Sequence, residues 1–182
     1  MEKVEIAPWA SDRDRFDIAT ELINEAYALH NDQGIRFGAA TQSLKVTRRR
    51  IETATATWVA RMGQIIVGVI SYYDHVRYPR AEPKWYAHTS VGHFGQFAVA
   101  PWKQRLGIGR SLLSHVEDRA VADRMSELCC DTASTAMELL LFYKRLGFEE
   151  VDRHQWQRQD YESIVLSKRL GLREIGSQQS LT

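Results

Sequence analysis

The stretch from Val99 to Leu113, VAPWKQRLGIGRSLL, is the feature that most constrains the fold of this chain. It joins an apolar, strand-like run to an amphipathic run, and Gly107 and Gly109 stand one residue apart between them. The first-turn amides of a helix have no partner within the helix, and the helix dipole favours an anion beside them. Glycines let the backbone approach a ligand closely and adopt positive φ. The stretch therefore predicts a phosphate-binding loop, and the alternative is a helix entry that only turns tightly.

Two common nucleotide-binding loops do not fit this stretch. The Walker A pattern G-x-x-x-x-G-K-[ST] is absent from it. The dinucleotide fingerprint would need a third glycine at the position of Leu112. A nucleotide-binding protein of either class is therefore disfavoured.

Hydrophobic periodicity predicts the element order β-α-α-β-β-β-α-β-α-β-β, with a loop over residues 75–89. The first helix follows a capping signature at Ser11 and Asp14 and ends near His30. Apolar residues fill nearly every position from 65 to 70, which is typical of a strand buried on both faces. We therefore predict an α/β fold, a mixed sheet with helices on both faces. The remaining elements are strands at about 4–7, 57–62, 65–73, 91–99, 128–132, 149–157 and 161–168, and helices at about 41–53, 107–125 and 135–146.

The second helix and the two cysteines give further expectations. Leu44, Thr47 and Ile51 share one helical face that should point inward, and the arginines at 48–50 should form a solvated face. The adjacent Cys129 and Cys130 lie in a predicted strand, so their side chains point to opposite faces and should not be bonded to each other. Buried strand cysteines are usually inert, so neither cysteine is expected to act as a nucleophile.

Length and charge limit the kind of protein. A chain of 182 residues fits one domain, which we place over residues 1–170, with a frayed tail at 171–182. The formal net charge of +1 lacks the basic excess of a nucleic-acid-binding protein. No apolar run approaches the roughly 20 residues of a membrane span, and the N-terminus lacks the layout of a signal peptide. We therefore expect a reduced, cytoplasmic protein that acts on neither nucleic acid nor membranes.

Two motifs give the chain a family resemblance. The segment QRLGIG at 104–109, behind Val99 and Pro101, resembles the Q/R-x-x-G-x-G/A motif of the GNAT superfamily of N-acetyltransferases. The segment FYKRLGF at 142–148 resembles the second marker of that family, L-Y-x-x-L-G-F. The predicted element order also matches, over about residues 3–169. The resemblance implies a single acyl-CoA N-acyltransferase domain with a mostly antiparallel, seven-stranded sheet.

The resemblance also implies a co-substrate, acetyl-CoA, and no metal. In this family the strand before the loop pairs with the pantetheine arm, and the loop and helix start bind the pyrophosphate through backbone amides. Carried over to this chain, the arm lies along Phe97, Ala98 and Val99. The pyrophosphate is assigned to Gln104, Arg105, Leu106, Gly107, Ile108, Gly109, Arg110 and Ser111.

Acetyl transfer to an amine needs a base, an oxyanion donor and an acid for the departing thiolate. Tyr143 stands where the family often has a tyrosine that gives its proton to the thiolate. A backbone N–H at Ala98 or Val99 is the expected oxyanion donor, where the sheet should splay open. His93 stands where many members have a glutamate base, and an imidazole with an ordinary pKa of about 6.5 can accept a proton through water. The alternative for His93 is a histidine satisfied within its strand.

Three further expectations concern contacts around the reacting groups. Gln96, the next polar side chain after His93, should lie on the opposite face of the strand. Ala136 replaces an asparagine that the family often has, which puts one cofactor contact in doubt. The polar residues that could substitute for this contact are Thr132, Ser134 and Thr135.

An aromatic pocket for the acceptor is expected beside the predicted loop. Its candidates are Tyr78, Trp85, Tyr86 and His88, with Trp58, Tyr72 and Tyr73 near in sequence. Core packing is the favoured role for Trp58 and Tyr72. The acceptor is an amine of a small molecule or of a protein, and a homodimer is compatible with the sequence. The leading hypothesis is an acetyl-CoA-dependent N-acetyltransferase, and the alternative is a non-catalytic acyl-CoA sensing domain.

Overall fold

The computed structural model describes residues 3–75 and 82–171, and its strands and helices follow one another in the predicted order. Short 3-10 helices occur at Asn31–Gln33, Gly38–Thr41, Lys84–Ala87 and Pro101–Lys103. The strands are β1 Val4–Pro8, β2 Ala56–Met62, β3 Ile65–Tyr73, β4 Val91–Val99, β5 Glu127–Ala133, β6 Glu149–His154 and β7 Ser163–Arg169. The helices are α1 Phe16–Ala28, α2 Leu44–Thr53, α3 Ile108–Ala122 and α4 Met137–Arg145.

The seven strands form one sheet in the order β1-β2-β3-β4-β5-β7-β6. Every neighbouring pair is antiparallel except β4 with β5. This parallel pairing is short, because it joins only residues 91–93 of β4 to residues 127–129 of β5. Beyond His93 the two strands separate, and the sheet opens between their carboxyl-terminal halves. The predicted mixed, mostly antiparallel sheet is confirmed.

Strand β3 lies at the centre of the core. All of its residues after Ile65 are buried, so both faces of the strand are covered, as the apolar run predicted. Helix α3 packs closely, and the Leu112 side chain leaves no room for a Cβ on Gly68 of β3. Helix α1 also packs against β3 and β4 and contributes the fully buried Ala19 and Ile23. The predicted core roles of Trp58 and Tyr72 are confirmed, since both side chains are buried in the main apolar cluster.

The expected capping role of Asp14 is wrong. Helix α1 begins at Phe16, and Arg15 precedes it without a side-chain cap. The Asp14 carboxylate instead accepts a hydrogen bond from the Ala10 N–H at 2.7 Å and pairs with Arg61 of β2. Asp14 and Arg61 are both 4% exposed. A buried arginine needs a carboxylate partner, and this tertiary requirement outweighs the local capping pattern.

Two residues of helix α2 have an environment opposite to the predicted one. Thr47 and Ile51 are buried as expected, but Leu44, the first residue of the helix, is 44% exposed. Among the arginines expected to be solvated, Arg50 donates from Nη1 to the Gln42 side-chain oxygen at 2.9 Å. Periodicity identifies a face of a helix, but it does not say where along its length the helix meets the core.

A bulge at Gln96 overturns the expected alternation along β4. Gln96 has a φ of +50°, and the register between β3 and β4 shifts beside it. Its side chain accepts a hydrogen bond from Gln42 at 2.8 Å, close to the α2 residue Arg50. His93 stacks on Tyr73, whose hydroxyl donates to the Arg50 carbonyl at 2.9 Å. His93 and Gln96 therefore lie on the same face, because the extra residue of a bulge shifts the alternation.

The two cysteines behave as the sequence indicates. Cys129 and Cys130 are free, buried thiols. Burial raises the pKa of Cys129 to about 12, and it raises the pKa of Cys130 as well. A raised pKa leaves little thiolate at neutral pH, so neither sulfur is an effective nucleophile. The predicted tail beyond residue 171 and the pocket candidate Tyr78 lie outside the described residues.

Candidate active site

A cavity of about 650 Å³ occupies the opening between β4 and β5. Helix α1 contributes Tyr27, the start of α3 contributes Gly107 to Arg110, and α4 contributes Phe142 and Tyr143. The separation of β4 from β5 creates this space, because residues 94–99 of β4 have no strand partner on that side. The cavity therefore places the glycine loop, a free strand edge and a buried tyrosine around one volume.

The glycine loop presents free amides to the cavity. Gly107 precedes α3 with a φ of +82°, a conformation that favours glycine. The Ser111 N–H donates to the Gly107 carbonyl at 3.0 Å and closes the first helical turn. The N–H groups of Ile108, Gly109 and Arg110 therefore have no acceptor within the helix. This arrangement fits an anionic group such as a pyrophosphate.

Gly109 leaves room where a side chain would crowd the strand. A Cβ at this position would lie 3.3 Å from the Phe97 ring and 3.7 Å from Val99 Cγ2. Both of these β4 residues line the cavity. The missing side chain therefore lets the helix start and the strand edge share one narrow space.

The backbone of β4 exposes two residues to the opening. The Ala100 N–H donates to the Val67 carbonyl of β3 at 2.9 Å. Because backbone groups alternate along a strand, Ala98 also faces β3, and Phe97 and Val99 face away from it. Two hydrogen bonds support this orientation of Phe97 and Val99. The Phe97 carbonyl accepts from the Tyr27 hydroxyl at 3.1 Å, and the Val99 carbonyl accepts from the Gln104 side chain at 3.2 Å. The expected oxyanion donor at Ala98 is corrected, since its N–H points into the sheet.

Tyr143 lines the cavity and is 6% exposed. The rings of Phe94, Phe142 and Phe148 surround it, with centroids 5.3–6.0 Å away. Burial raises the pKa of its phenol well above the ordinary value, and the neighbouring Cys130 thiol raises it further. The phenol therefore stays protonated and can donate a proton or a hydrogen bond.

His93 lines the cavity from β4 and is 6% exposed. Its imidazole is stacked between the rings of Tyr73 and Tyr86, each with a centroid 4.9 Å away. The interplanar angles of 13° and 18° fix the plane of the imidazole. The histidine therefore has a fixed orientation at the cavity wall.

Asp131 is a cavity residue that sequence reasoning missed. Its carboxylate accepts a hydrogen bond from the Tyr86 hydroxyl at 3.0 Å and from the Trp156 indole N–H at 2.9 Å. The available signal was weak: Asp131 is a single acidic residue within the predicted strand around LCCDT, and no motif contains it. Only the tertiary structure shows that this strand position faces the cavity.

Most predicted binding residues meet at this cavity, but some do not. Leu106 is 67% exposed and Ser111 is exposed, and neither lines the cavity. The Ser111 N–H is also occupied by Gly107, so its amide is not available to a ligand. The predicted residues that line the cavity are His93, Phe97, Ala98, Val99, Gln104, Arg105, Gly107, Ile108, Gly109, Arg110 and Tyr143.

The aromatic candidates divide in the same way. Tyr73 and Tyr86 line the cavity. Trp85 instead donates its indole N–H to Glu127 at 3.0 Å, and His88 is exposed. Thr132, the first expected substitute for the family asparagine, lines the cavity, and its buried hydroxyl has no hydrogen-bond partner among the described residues.

Charge at the mouth of the cavity favours an anionic ligand. Lys103, Arg105 and Arg110 line the side formed by the glycine loop. Arg105 is paired loosely with Glu138 of α4, at 3.7 Å, and both side chains are mostly exposed. Within residues 3–75 and 82–171 no three His, Cys, Asp or Glu side chains come together as a metal site. No helix in these ranges is long and apolar enough to cross a membrane.

Comparison with protein families gives one match over most of the chain. Residues 25–160 match the family described as "Acetyltransferase (GNAT) domain". A search of curated protein sequences gives no significant match.

Solved structures share the fold over nearly the whole chain. A protein from Streptococcus mutans is similar at 24% identity and a TM-score of 0.70, covering 91% of this chain and 99% of that one. The ribosomal-protein alanine N-acetyltransferase of Escherichia coli is similar at 15% identity and a TM-score of 0.68, covering 99% of each chain. A GNAT family acetyltransferase from Elizabethkingia anophelis, with acetyl-CoA bound, has 17% identity and a TM-score of 0.65, covering 93% of this chain and 100% of that one.

Proposed function

Because this chain belongs to the GNAT family of acetyltransferases, which use acetyl-CoA, we propose that it acetylates a primary amine of a small molecule or a protein by direct attack. The observation that carries the proposal is the single cavity that joins the glycine loop, the free edge of β4 and the buried Tyr143. When bound, acetyl-CoA supplies an activated acetyl thioester. The side chains around the cavity would then bind the two substrates, orient them and exchange protons with them.

The chain has groups suited to both ends of this donor. The free amides of Ile108, Gly109 and Arg110, with the cationic side chains at the mouth, would hold the pyrophosphate. The outward backbone groups of Val99 would pair with the pantetheine arm. The unpartnered hydroxyl of Thr132 is suited to a further contact with that arm.

The Phe97 N–H is the group best placed to stabilise the developing oxyanion. It faces the opening, as the Val99 N–H does, and it lies further from the glycine loop. An arm that starts at the loop and passes Val99 would bring the thioester carbonyl to Phe97. A fixed backbone donor in a site shielded from water stabilises such a charge without reorganisation.

His93 and Tyr143 have complementary roles in proton transfer. His93 would accept the proton of the attacking amine, directly or through one water, from its stacked position beside Tyr73 and Tyr86. Tyr143 would give its proton to the departing sulfur. The raised pKa of Tyr143 keeps the acid form populated.

Replacing Tyr143 by phenylalanine tests the proposal. Tyr143→Phe keeps the ring and its packing against the phenylalanines but removes the proton donor. General acid catalysis contributes about 10²–10⁴-fold, so turnover should fall within this range while the affinity for acetyl-CoA stays nearly constant. Turnover is followed by release of free thiol with a panel of amines, and affinity by calorimetry. Tyr72→Phe is the control, because it removes a buried hydroxyl outside the cavity.

The pH profile adds a second readout. Because the pKa of Tyr143 lies well above its ordinary value of about 10, this phenol should cause no loss of rate up to about pH 10. An alkaline loss below that pH that disappears in Tyr143→Phe would contradict the assignment. A wild-type rate in Tyr143→Phe would show that the thiolate leaves without this acid. If the wild type binds acetyl-CoA but acetylates no amine, the sensing-domain alternative is favoured.

A further inference from the structure

Asp131 is a half-buried carboxylate among the residues that line the cavity. Among the described residues that line the cavity, the other carboxylate is Glu138, which lies at the mouth, is largely exposed and faces Arg105. Asp131 lies on β5, two residues beyond Cys129, where the pairing with β4 ends. Its hydrogen-bond partner Tyr86 stacks on His93. A negative charge at this point can influence what enters from the acceptor side.

The Asp131 carboxylate is fixed in orientation but keeps the capacity to bind a further donor. Its Oδ1 accepts from the Tyr86 hydroxyl at 3.0 Å, and its Oδ2 accepts from the Trp156 indole at 2.9 Å. An ionised carboxylate offers about four acceptor positions, so each oxygen retains one. The two donors therefore hold the carboxylate without neutralising it, since neither donor is charged.

Aromatic rings form the walls of this part of the cavity. The Phe37 ring lies 5.3 Å from that of Tyr27 and 5.5 Å from that of Tyr161, and all three residues line the cavity with Tyr86 and Trp156. The cation on α2 that lines the same region, Arg50, is held by the Gln42 side chain. Ring faces beside a carboxylate are a favourable environment for an ammonium group attached to an apolar group.

We propose that Asp131 binds the ammonium group of the acceptor, and that the acceptor is a cationic primary amine carried on an aromatic or apolar group. This inference rests on the proposed acetyl transfer. A primary alkylamine is protonated at neutral pH, so it must reach the cavity as a cation before its proton is removed. A fixed carboxylate that shares the neighbour Tyr86 with His93 holds the cation on the side of the cavity where the imidazole can receive that proton.

Asp131→Asn removes the charge with little change of shape. The amide oxygen can accept from the Trp156 indole, and the amide N–H can donate to the Tyr86 hydroxyl oxygen, so both contacts survive. Glu127→Gln is a matched control on the same strand. The Glu127 carboxylate is also held by an indole and a hydroxyl, those of Trp85 and Ser167, but it does not line the cavity.

Two isomeric amines serve as probes. At about pH 7.5, 2-phenylethylamine is a cation and 4-ethylaniline is neutral, although they have the same atoms. Removing one partner of a charge-assisted hydrogen bond weakens binding by about 10- to 100-fold. Asp131→Asn should therefore raise the KM for 2-phenylethylamine by this factor, leave 4-ethylaniline unchanged and leave the affinity for acetyl-CoA unchanged. Glu127→Gln should change none of these values.

The outcomes separate this inference from the proposed function. If Asp131→Asn acetylates 2-phenylethylamine with a wild-type KM, or if the wild type prefers 4-ethylaniline, the role of Asp131 is refuted and acetyl transfer still stands. If neither amine is acetylated, calorimetry of 2-phenylethylamine binding to the wild type and to Asp131→Asn tests the role of Asp131. Binding that weakens in Asp131→Asn supports the anchor even without turnover, and absence of binding to the wild type overturns it.

Discussion

Gly109 offers a direct test of the proposed pyrophosphate site. A Cβ at this position would lie 3.3 Å from the Phe97 ring, which is tighter than nine in ten real Cβ contacts, so the ring would have to shift. Valine adds two further carbons beyond that Cβ. These must lie against Phe97 and Val99 or over the first-turn amides, where we place the pyrophosphate.

The size of the effect follows from the amides that would be covered. A hydrogen bond to a charged group is worth about 1.5–3 kcal/mol, so blocking two amides costs about 3–6 kcal/mol of binding free energy. Since each 1.4 kcal/mol is a factor of ten, Gly109→Val should weaken acetyl-CoA binding by about 10²–10⁴-fold. Fold stability should change little, because valine in the first helical turn has better helix propensity than glycine, and this offsets part of the crowding.

Gly107→Ala provides the matched control. Gly107 has a φ of +82°, and a Cβ there would meet no atom within 4 Å. An alanine in this left-handed conformation costs about 1–2 kcal/mol of folding stability but crowds no neighbouring atom of the protein. We therefore expect Gly107→Ala to lower the urea midpoint and to bind acetyl-CoA within about tenfold of the wild type. Calorimetry measures binding, and circular dichroism confirms folding.

Unchanged affinity in Gly109→Val would refute the assignment of the pyrophosphate to the glycine loop. Equal losses of affinity in both variants would show that loop strain, rather than blocking of the amides, controls binding. In that case the close approach of helix and strand at Gly109 would have no specific role.

Two further predictions concern the base and a buried ion pair. His93→Phe keeps a ring between Tyr73 and Tyr86 but removes both nitrogens, so kcat/KM for an amine should fall by about 10²–10⁴-fold while the affinity for acetyl-CoA stays nearly constant. A wild-type kcat/KM in this variant would mean that another group takes the proton. Arg61→Met leaves Asp14 as a buried, unpaired charge, so the free energy of unfolding in urea should fall by about 3–5 kcal/mol. Replacing both members of this pair by apolar residues should recover most of that loss, and a loss below about 1 kcal/mol in Arg61→Met would contradict the role of the pair.

The sequence predicted the elements whose cause is local. The apolar run over residues 65–70 predicted a strand buried on both faces, and the pattern over 91–99 predicted β4 with the bounds that the structure has. Gly107 and Gly109 predicted a loop at the start of a helix. Gly107 adopts a φ of +82°, which glycine does more readily than other residues, and Gly109 has no side chain to fill the space beside the strand. These features are set by neighbours within a few residues of each other.

The sequence predicted less well the contacts that depend on residues far apart in the chain. The Ser11 and Asp14 signature has the spacing of a helix cap, but Asp14 is used by Arg61, which is far along the chain. The bulge at Gln96 turns that side chain to the face of His93, and no local residue type required it. Alternation and capping rules describe an isolated element, whereas neighbouring elements select among its possible contacts.

The sequence by itself determined the family, the order of the elements and the glycine loop, since these depend on motifs and periodicity that short segments carry. The tertiary structure alone decided which residues share the cavity. It left the outward backbone groups of Phe97 and Val99 without a strand partner, because β4 and β5 pair over only three residues before they separate. It also brought Asp131 to Tyr86 and Trp156, which lie 45 and 25 residues away in the chain. Contacts between residues so far apart in the chain form only when the strands that carry them are packed into one sheet.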